Sequence, residues 1–129
     1  MNGDTMDKSS LIEVGEYKEL FNKITGASIP VGKIYRSKGL PAHMINSGHG
    51  KFLKYLDALG EIIDNPDYIG CNPNEDNNLS IELVKQMDDN VMIGIKLDTK
   101  GNYIYVATIH GIQDSKLERR LHSGRLKKL

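Results

Sequence analysis

Three strand-length runs, residues 79–87, 91–97 and 103–110, follow one another with only short polar turns between them, and they do most to limit the folds open to this chain. Valine, isoleucine and tyrosine recur through them, as in half-buried strands. The second turn, Asp98-Thr99-Lys100-Gly101-Asn102, fits a three-residue hairpin loop with Gly101 left-handed. That loop pairs Leu97 with Tyr103 and Lys96 with Ile104. Val91, Ile93, Ile95, Leu97, Tyr103, Tyr105, Ala107 and Ile109 then form a core face. Met92, Gly94, Lys96, Ile104, Val106 and Thr108 form the other. A similar loop at Asp88-Asp89-Asn90 pairs Glu82 with Lys96 on this second face and sets Lys85 on the core face, a conflict that a one-residue slip would invert.

Upstream of the strands the period changes. Tyr17, Leu20, Phe21 and Ile24 recur at helical spacing, so a short helix is expected over residues 16–25, ended by Gly26. Residues 31–35 read as a strand. Pro41 opens a short helix with His43 in its first turn, and Gly48 and Gly50 interrupt it. Phe52, Leu53, Leu56, Leu59, Ile62 and Ile63 form one apolar stripe, which predicts a single helix over residues 51–64 stopped by Asn65-Pro66. Residues 68–71 are extended. Ser115 and Glu118 have capping-box spacing, so a last helix starts near Lys116 and ends at Gly124. The order indicates an α+β fold, with N-terminal helices packed on one face of a small antiparallel sheet and a short C-terminal helix and basic tail. A chain of 129 residues suits one domain, residues 11–129, after a polar stretch, residues 1–10, expected to be disordered.

Net charge is zero, but the charge is unevenly placed. Lys33, Arg36, Lys38, Lys51 and Lys54 occupy a stretch without any acid. Lys116, Arg119, Arg120, Arg125, Lys127 and Lys128 face only Glu118. Acids dominate between Asp57 and Asp89, so the fold is expected to carry one cationic face. Cys71 is the sole cysteine, which excludes an intramolecular disulfide and a cysteine-rich zinc site and favours a reducing compartment such as the cytoplasm. The N-terminus lacks an apolar signal core, and no apolar run approaches a membrane span. Neither a cofactor nor a metal is expected: HExxH is absent, and a site at His43 and His49 would need His110 or Asp114 as well.

Imidazoles among fixed cations suit phosphodiester chemistry, because an imidazole moves a proton near neutral pH while cations hold phosphate. His43 is the leading proton-transfer candidate; a lone histidine is otherwise a surface or capping residue. Lys96 and Thr108 can meet a phosphate from the second sheet face, with Glu82 as a base or merely the partner of Lys96. Ser123-Gly124-Arg125 combines a glycine turn with a guanidinium that grips phosphate in bidentate fashion; the plainer reading is a helix cap and a basic tail. Arg36, Lys38, His49, Lys51 and Lys127 are candidate substrate contacts, and Lys128 adds nonspecific charge. Cys71 reads as an apolar filler.

The segments KIYRSKGLPAHM, PDYIG, YIYVAT and RRLHSGRLKKL, in that order, resemble the phage-associated barnase/EndoU/colicin/RelE-like nucleases over most of residues 33–128. The resemblance implies helices on an antiparallel sheet and metal-independent RNA cleavage by a phage, prophage or mobile-element effector, a toxin that an immunity or antitoxin protein restrains. On the matching motifs it carries over to His43, Thr108, Ser123 and Arg125. Tyr105 matches too, but the strand register assigns it to the core. The low overall charge departs from the basic character of such nucleases. The expected activity is an endoribonuclease. The rivals are an RNA-binding module that leaves RNA intact and a protein-interaction module using the acidic middle segment.

Overall fold

The computed structural model describes residues 10–73 and 78–129. Its first strand, β1 (Leu11–Tyr17), precedes α1 (Glu19–Thr25), β2 (Gly32–Ser37) and α2 (Leu40–Asn46). A 3₁₀ helix, Gly50–Ala58, runs directly into α3 (Leu59–Asp64). Then come β3 (Tyr68–Gly70), β4 (Ser80–Gln86), β5 (Asn90–Asp98), β6 (Tyr103–Gly111), α4 (Asp114–Ser123) and β7 (Leu126–Lys128). One seven-stranded sheet has the order β1-β2-β6-β5-β4-β3-β7. Its β2–β6 pairing is parallel and the others are antiparallel. The α+β class holds. The sheet is mixed, however, and the helices are interleaved with the strands instead of preceding them. The expected disorder of residues 1–10 falls on positions that, apart from Ser10, lie outside the described residues.

The main core lies on one sheet face, where Ile34, Ile81, Leu83, Val91, Ile93, Ile95, Ile104, Val106 and Ile109 pack with Phe21, Met44, Phe52, Leu59 and Ile62 from the helices. Full burial of each such side chain contributes about 1.5–3 kcal/mol. Two helix expectations change. Glu16 and Tyr17 belong to β1, so α1 starts later and Leu20 points to solvent. The stripe over residues 51–64 is not one α-helix. In its first part Phe52 and Tyr55 are buried three residues apart, the 3₁₀ period, so Tyr55 takes the inward place expected for Leu56. The Tyr55 hydroxyl donates to Asp89 Oδ2 at 2.7 Å and tethers this segment to the β4–β5 turn.

A second, smaller core lies on the opposite sheet face. Val84 and Met92 meet Leu117 of α4, with Ile112 and Leu126 completing the cluster. α4 starts at Asp114 without a side-chain cap, so the expected Ser115–Glu118 box does not form. Gly124, left-handed at φ 84°, ends it as expected. The first turn is therefore anchored by apolar contact through Leu117 and not by a hydroxyl cap.

Candidate active site

The strand register fixes which side chains share the second face. β4 and β5 pair as Ser80↔Lys96, Glu82↔Gly94 and Val84↔Met92. Glu82 therefore lies on the expected face but opposite Gly94, not Lys96. Lys85 does sit on the core face; it is half-buried and sends its ammonium to the Asn65 carbonyl at 2.9 Å. β5 and β6 pair as Lys96↔Tyr105 and Leu97↔Ile104, then as Gly94↔Thr108 and Ile93↔Ile109. Ala107 is skipped between them, a β-bulge that shifts the alternation by one. Thr108 and Ile109 thus keep their expected faces. Ile104 and Val106 are buried in the main core, and Tyr103 and Tyr105 move to the second face. Asp98 pairs with Tyr103, so the hairpin loop is a residue longer than expected. Asn102, not Gly101, is left-handed, at φ 54°. The Asp98 carboxylate stabilises this loop by accepting from Lys100 N at 2.9 Å and Gly101 N at 3.1 Å.

Two rows of residues result. Tyr35, Tyr105, Lys96 and Ser80 occupy one row across β2, β6, β5 and β4. Thr108, Gly94, Glu82 and Gly70 occupy the next across β6, β5, β4 and β3. A Cβ on Gly94 would stand 2.9 Å from Thr108 Oγ1, so the floor between Glu82 and Thr108 is bare backbone with a hydroxyl over it. β4 and β6 flank β5 and so lie about 10 Å apart.

The wall at the β4 side is built by the turn after α4. Arg125 donates from Nε to Glu82 Oε1 at 3.2 Å and from Nη2 to Oε2 at 3.0 Å, with both side chains largely buried. Ser123 shapes the turn: its hydroxyl donates to the Arg120 carbonyl at 3.2 Å and accepts from Arg125 N at 3.4 Å. Arg120 reaches Met92 Sδ at 3.4 Å. Burial lowers the pKa of its guanidinium, and the positive charge of Arg125 adds to the effect. Gly70 is required here, because any Cβ would overlap the Arg125 carbonyl oxygen.

At the β6 side, His43 on the exposed face of α2 lines a cavity of about 230 Å³ together with Tyr103, Tyr105 and Leu40. The remaining sequence candidates are scattered. Strand alternation puts Arg36 on the Ile34 side of β2, and its Nη1 donates to the Ser37 carbonyl at 3.0 Å. Lys38 is exposed beyond β2 and donates its backbone N–H to the Ser10 carbonyl. His49 and Lys51 line a separate cleft of about 600 Å³ with Asp88, Asp89 and Asp114, where the His49 ring lies 5.5 Å from that of His110. Lys127 on β7 donates to the Ile24 carbonyl at 3.3 Å. Cys71 is half-buried with its thiol near the Thr25 and Ser80 carbonyls, and burial pushes the thiol pKa up. Among the described residues, no group of three or more His, Cys, Asp or Glu is placed to hold a metal ion. Nor is any of their helices long and apolar enough to cross a membrane.

Strict alternation assigns Tyr103 and Tyr105 to the core, and the bulge at Ala107 is what brings both to the second face. Neither the proximity of Arg120 to this wall nor the pairing of Glu82 with Arg125 has a local signal in the sequence.

Comparison with curated proteins and with solved structures gave no match. The sequence profile of the phage-Barnase-EndoU-ColicinE5/D-RelE like nuclease3 family matches residues 12–119, from β1 into α4. That span includes the glycine-floored rows on β4 to β6 and the lining of the His43 cavity apart from Leu11, while Ser123 and Arg125 lie beyond it. A family of this kind implies an enzyme acting on nucleic acid, and it is to these phage-associated, barnase-like nucleases that the chain belongs.

Proposed function

We propose that the protein is a metal-independent endoribonuclease whose substrate crosses the open half of the second sheet face. The observation that carries this reading is the convergence, in adjacent registers of three strands, of Lys96, Thr108 and the Arg125–Glu82 pair, with His43 at the β6 margin. His43 takes the proton from a ribose 2′-OH. The 2′-oxygen attacks the adjacent phosphorus, the bond from phosphorus to the 5′-oxygen breaks, and that oxygen leaves with a proton drawn from solvent. The products are a 2′,3′-cyclic phosphate and a 5′-hydroxyl end. Proton transfer contributes on the order of 10²–10⁴-fold. Lys96 and the free donors of Arg125 offset the charge added to the phosphoryl oxygens, and the Thr108 and Ser123 hydroxyls orient them. In this reading Glu82 aims Arg125. The setting is the cytoplasm, as an effector of a phage, prophage or other mobile element opposed by an immunity or antitoxin protein.

The test is incubation with end-labelled RNA in EDTA, with the new ends identified chemically. Cleavage giving cyclic phosphate, abolished by His43→Ala and strongly reduced by Arg125→Lys, is expected. Intact RNA, or cleavage indifferent to both substitutions, overturns the reading. A second reading, an RNA-binding module without catalysis, is favoured by one fact: Arg125 is already neutralised by Glu82. It predicts salt-sensitive binding of RNA that stays intact.

A further inference from the structure

The cavity beside His43 holds more aromatic surface than proton transfer requires. Tyr103 and Tyr105, two residues apart on β6, project on the same face with ring centroids 5.5 Å apart and planes tilted by 39°. Leu11, Leu40 and Val106 supply apolar lining, and His43 and Ser37 bring polar atoms to it. Burial, and after it the negative charge and hydrogen bond of Asp98, push the Tyr103 pKa up to about 12, so its phenol stays neutral and its ring is tethered. Lys96 stands directly across from Tyr105 on β5.

We propose that this cavity is a stacking subsite for one unpaired nucleobase, which makes single-stranded RNA, or an unpaired nucleotide of a folded RNA, the substrate class. The inference rests on the nuclease reading and names where its substrate is gripped. About 230 Å³ admits one nucleobase but not a base pair. A base lying against Tyr105 carries its ribose toward His43, and Lys96 meets the phosphate that follows. Tyrosine faces accept any base, so the subsite selects for lack of pairing and not for sequence.

The probe is a fluorescein-labelled 2′-deoxy oligonucleotide, which stacks as RNA does but has no 2′-OH to attack. Binding is read by anisotropy at low salt in EDTA. The single strand is expected to bind at least about tenfold more tightly than the same strand sealed in a duplex, because duplex bases are already stacked. Tyr105→Leu, which keeps apolar bulk but removes the π face, is expected to weaken binding by about 5- to 100-fold. Tyr105→Phe is expected to bind like the native protein. Removing bases from the probe with an abasic backbone provides the same comparison on unaltered protein, should the leucine variant fail to fold. Equal affinity for single strand and duplex, native affinity in folded Tyr105→Leu, undiminished binding of the abasic strand, or no binding at all overturns the inference. Base-dependent binding without RNA cleavage leaves the subsite standing and removes the nuclease reading. Cleavage of RNA with an unchanged KM in Tyr105→Leu does the reverse.

Discussion

Arg125 and Glu82, 43 residues apart in sequence, form a bidentate ion pair in which the carboxylate side chain is only 12% exposed. Removing one member strands the other in a poorly solvated site. Arg125→Met is therefore expected to cost about 3 kcal/mol and to lower Tm by on the order of 10 °C. The double variant Glu82→Leu with Arg125→Met is expected to recover most of that loss in thermal melts while remaining inactive toward RNA. Failure of the double variant to recover would show that the pair is not the source of the instability.

Two glycines of one row should separate stability from function. Gly70→Ala drives a methyl into the Arg125 carbonyl, so β7 must shift from β3, at a cost of about 1–3 kcal/mol. Gly94→Ala meets only the Thr108 hydroxyl, which can rotate away, so the fold should tolerate it. The methyl nevertheless raises the groove floor. The expected outcome is a near-native Tm with kcat/KM for RNA reduced about tenfold or more, as misplacement of a reacting group by an ångström requires.

The alkaline limb of the stability profile should report Tyr103. Its pKa is pushed from the usual tyrosine value to about 12, so the native state holds a proton that the unfolded chain has already released. This stabilisation is complete below pH of about 10 and declines as pH rises toward 12. Urea titrations across that window should show a shallower decline for Tyr103→Phe than for the native protein. Tyr17, shifted upward chiefly by burial, will contribute to the slope that remains.

Tyr55→Phe should loosen the 3₁₀ segment. Asp89 loses a 2.7 Å donor, and its own backbone N–H loses the phenolic oxygen it meets at 3.1 Å. A lower Tm is expected, as for the loss of a hydrogen bond to a charged group. Amide exchange should quicken locally around Phe52 and Asp89.

The three hairpin strands were legible because β-branched alternation and polar turns mark them plainly, and Gly26, Pro41 and Gly124 act where their backbone preferences predict. Legibility ended where one residue altered the count. Ala107 bulges out, so strict alternation fails between Val106 and Thr108 and exchanges the faces of Ile104 and Tyr105. β1 was missed because its own bulge, between Glu13 and Gly15, breaks the period of two, while Gly15 lies against Ile63 with no room for a larger side chain. His43, Lys96, Thr108 and Arg125 were nameable as candidates from residue type alone. The partnership of Arg125 with Glu82 was not, since it depends on β7 pairing with β3 and β3 with β4, a contact network without a local signature.

That network has a temporal side. Glu82 and its neighbours on β4–β6 are translated well before Arg125, which is held in place only when the tripeptide Leu126–Lys128 zips onto β3. A ribosome-bound intermediate halted after β6 would display Glu82 without its guanidinium partner, and so vectorial synthesis itself leaves this ion pair unformed until the strands around Glu82 have been made.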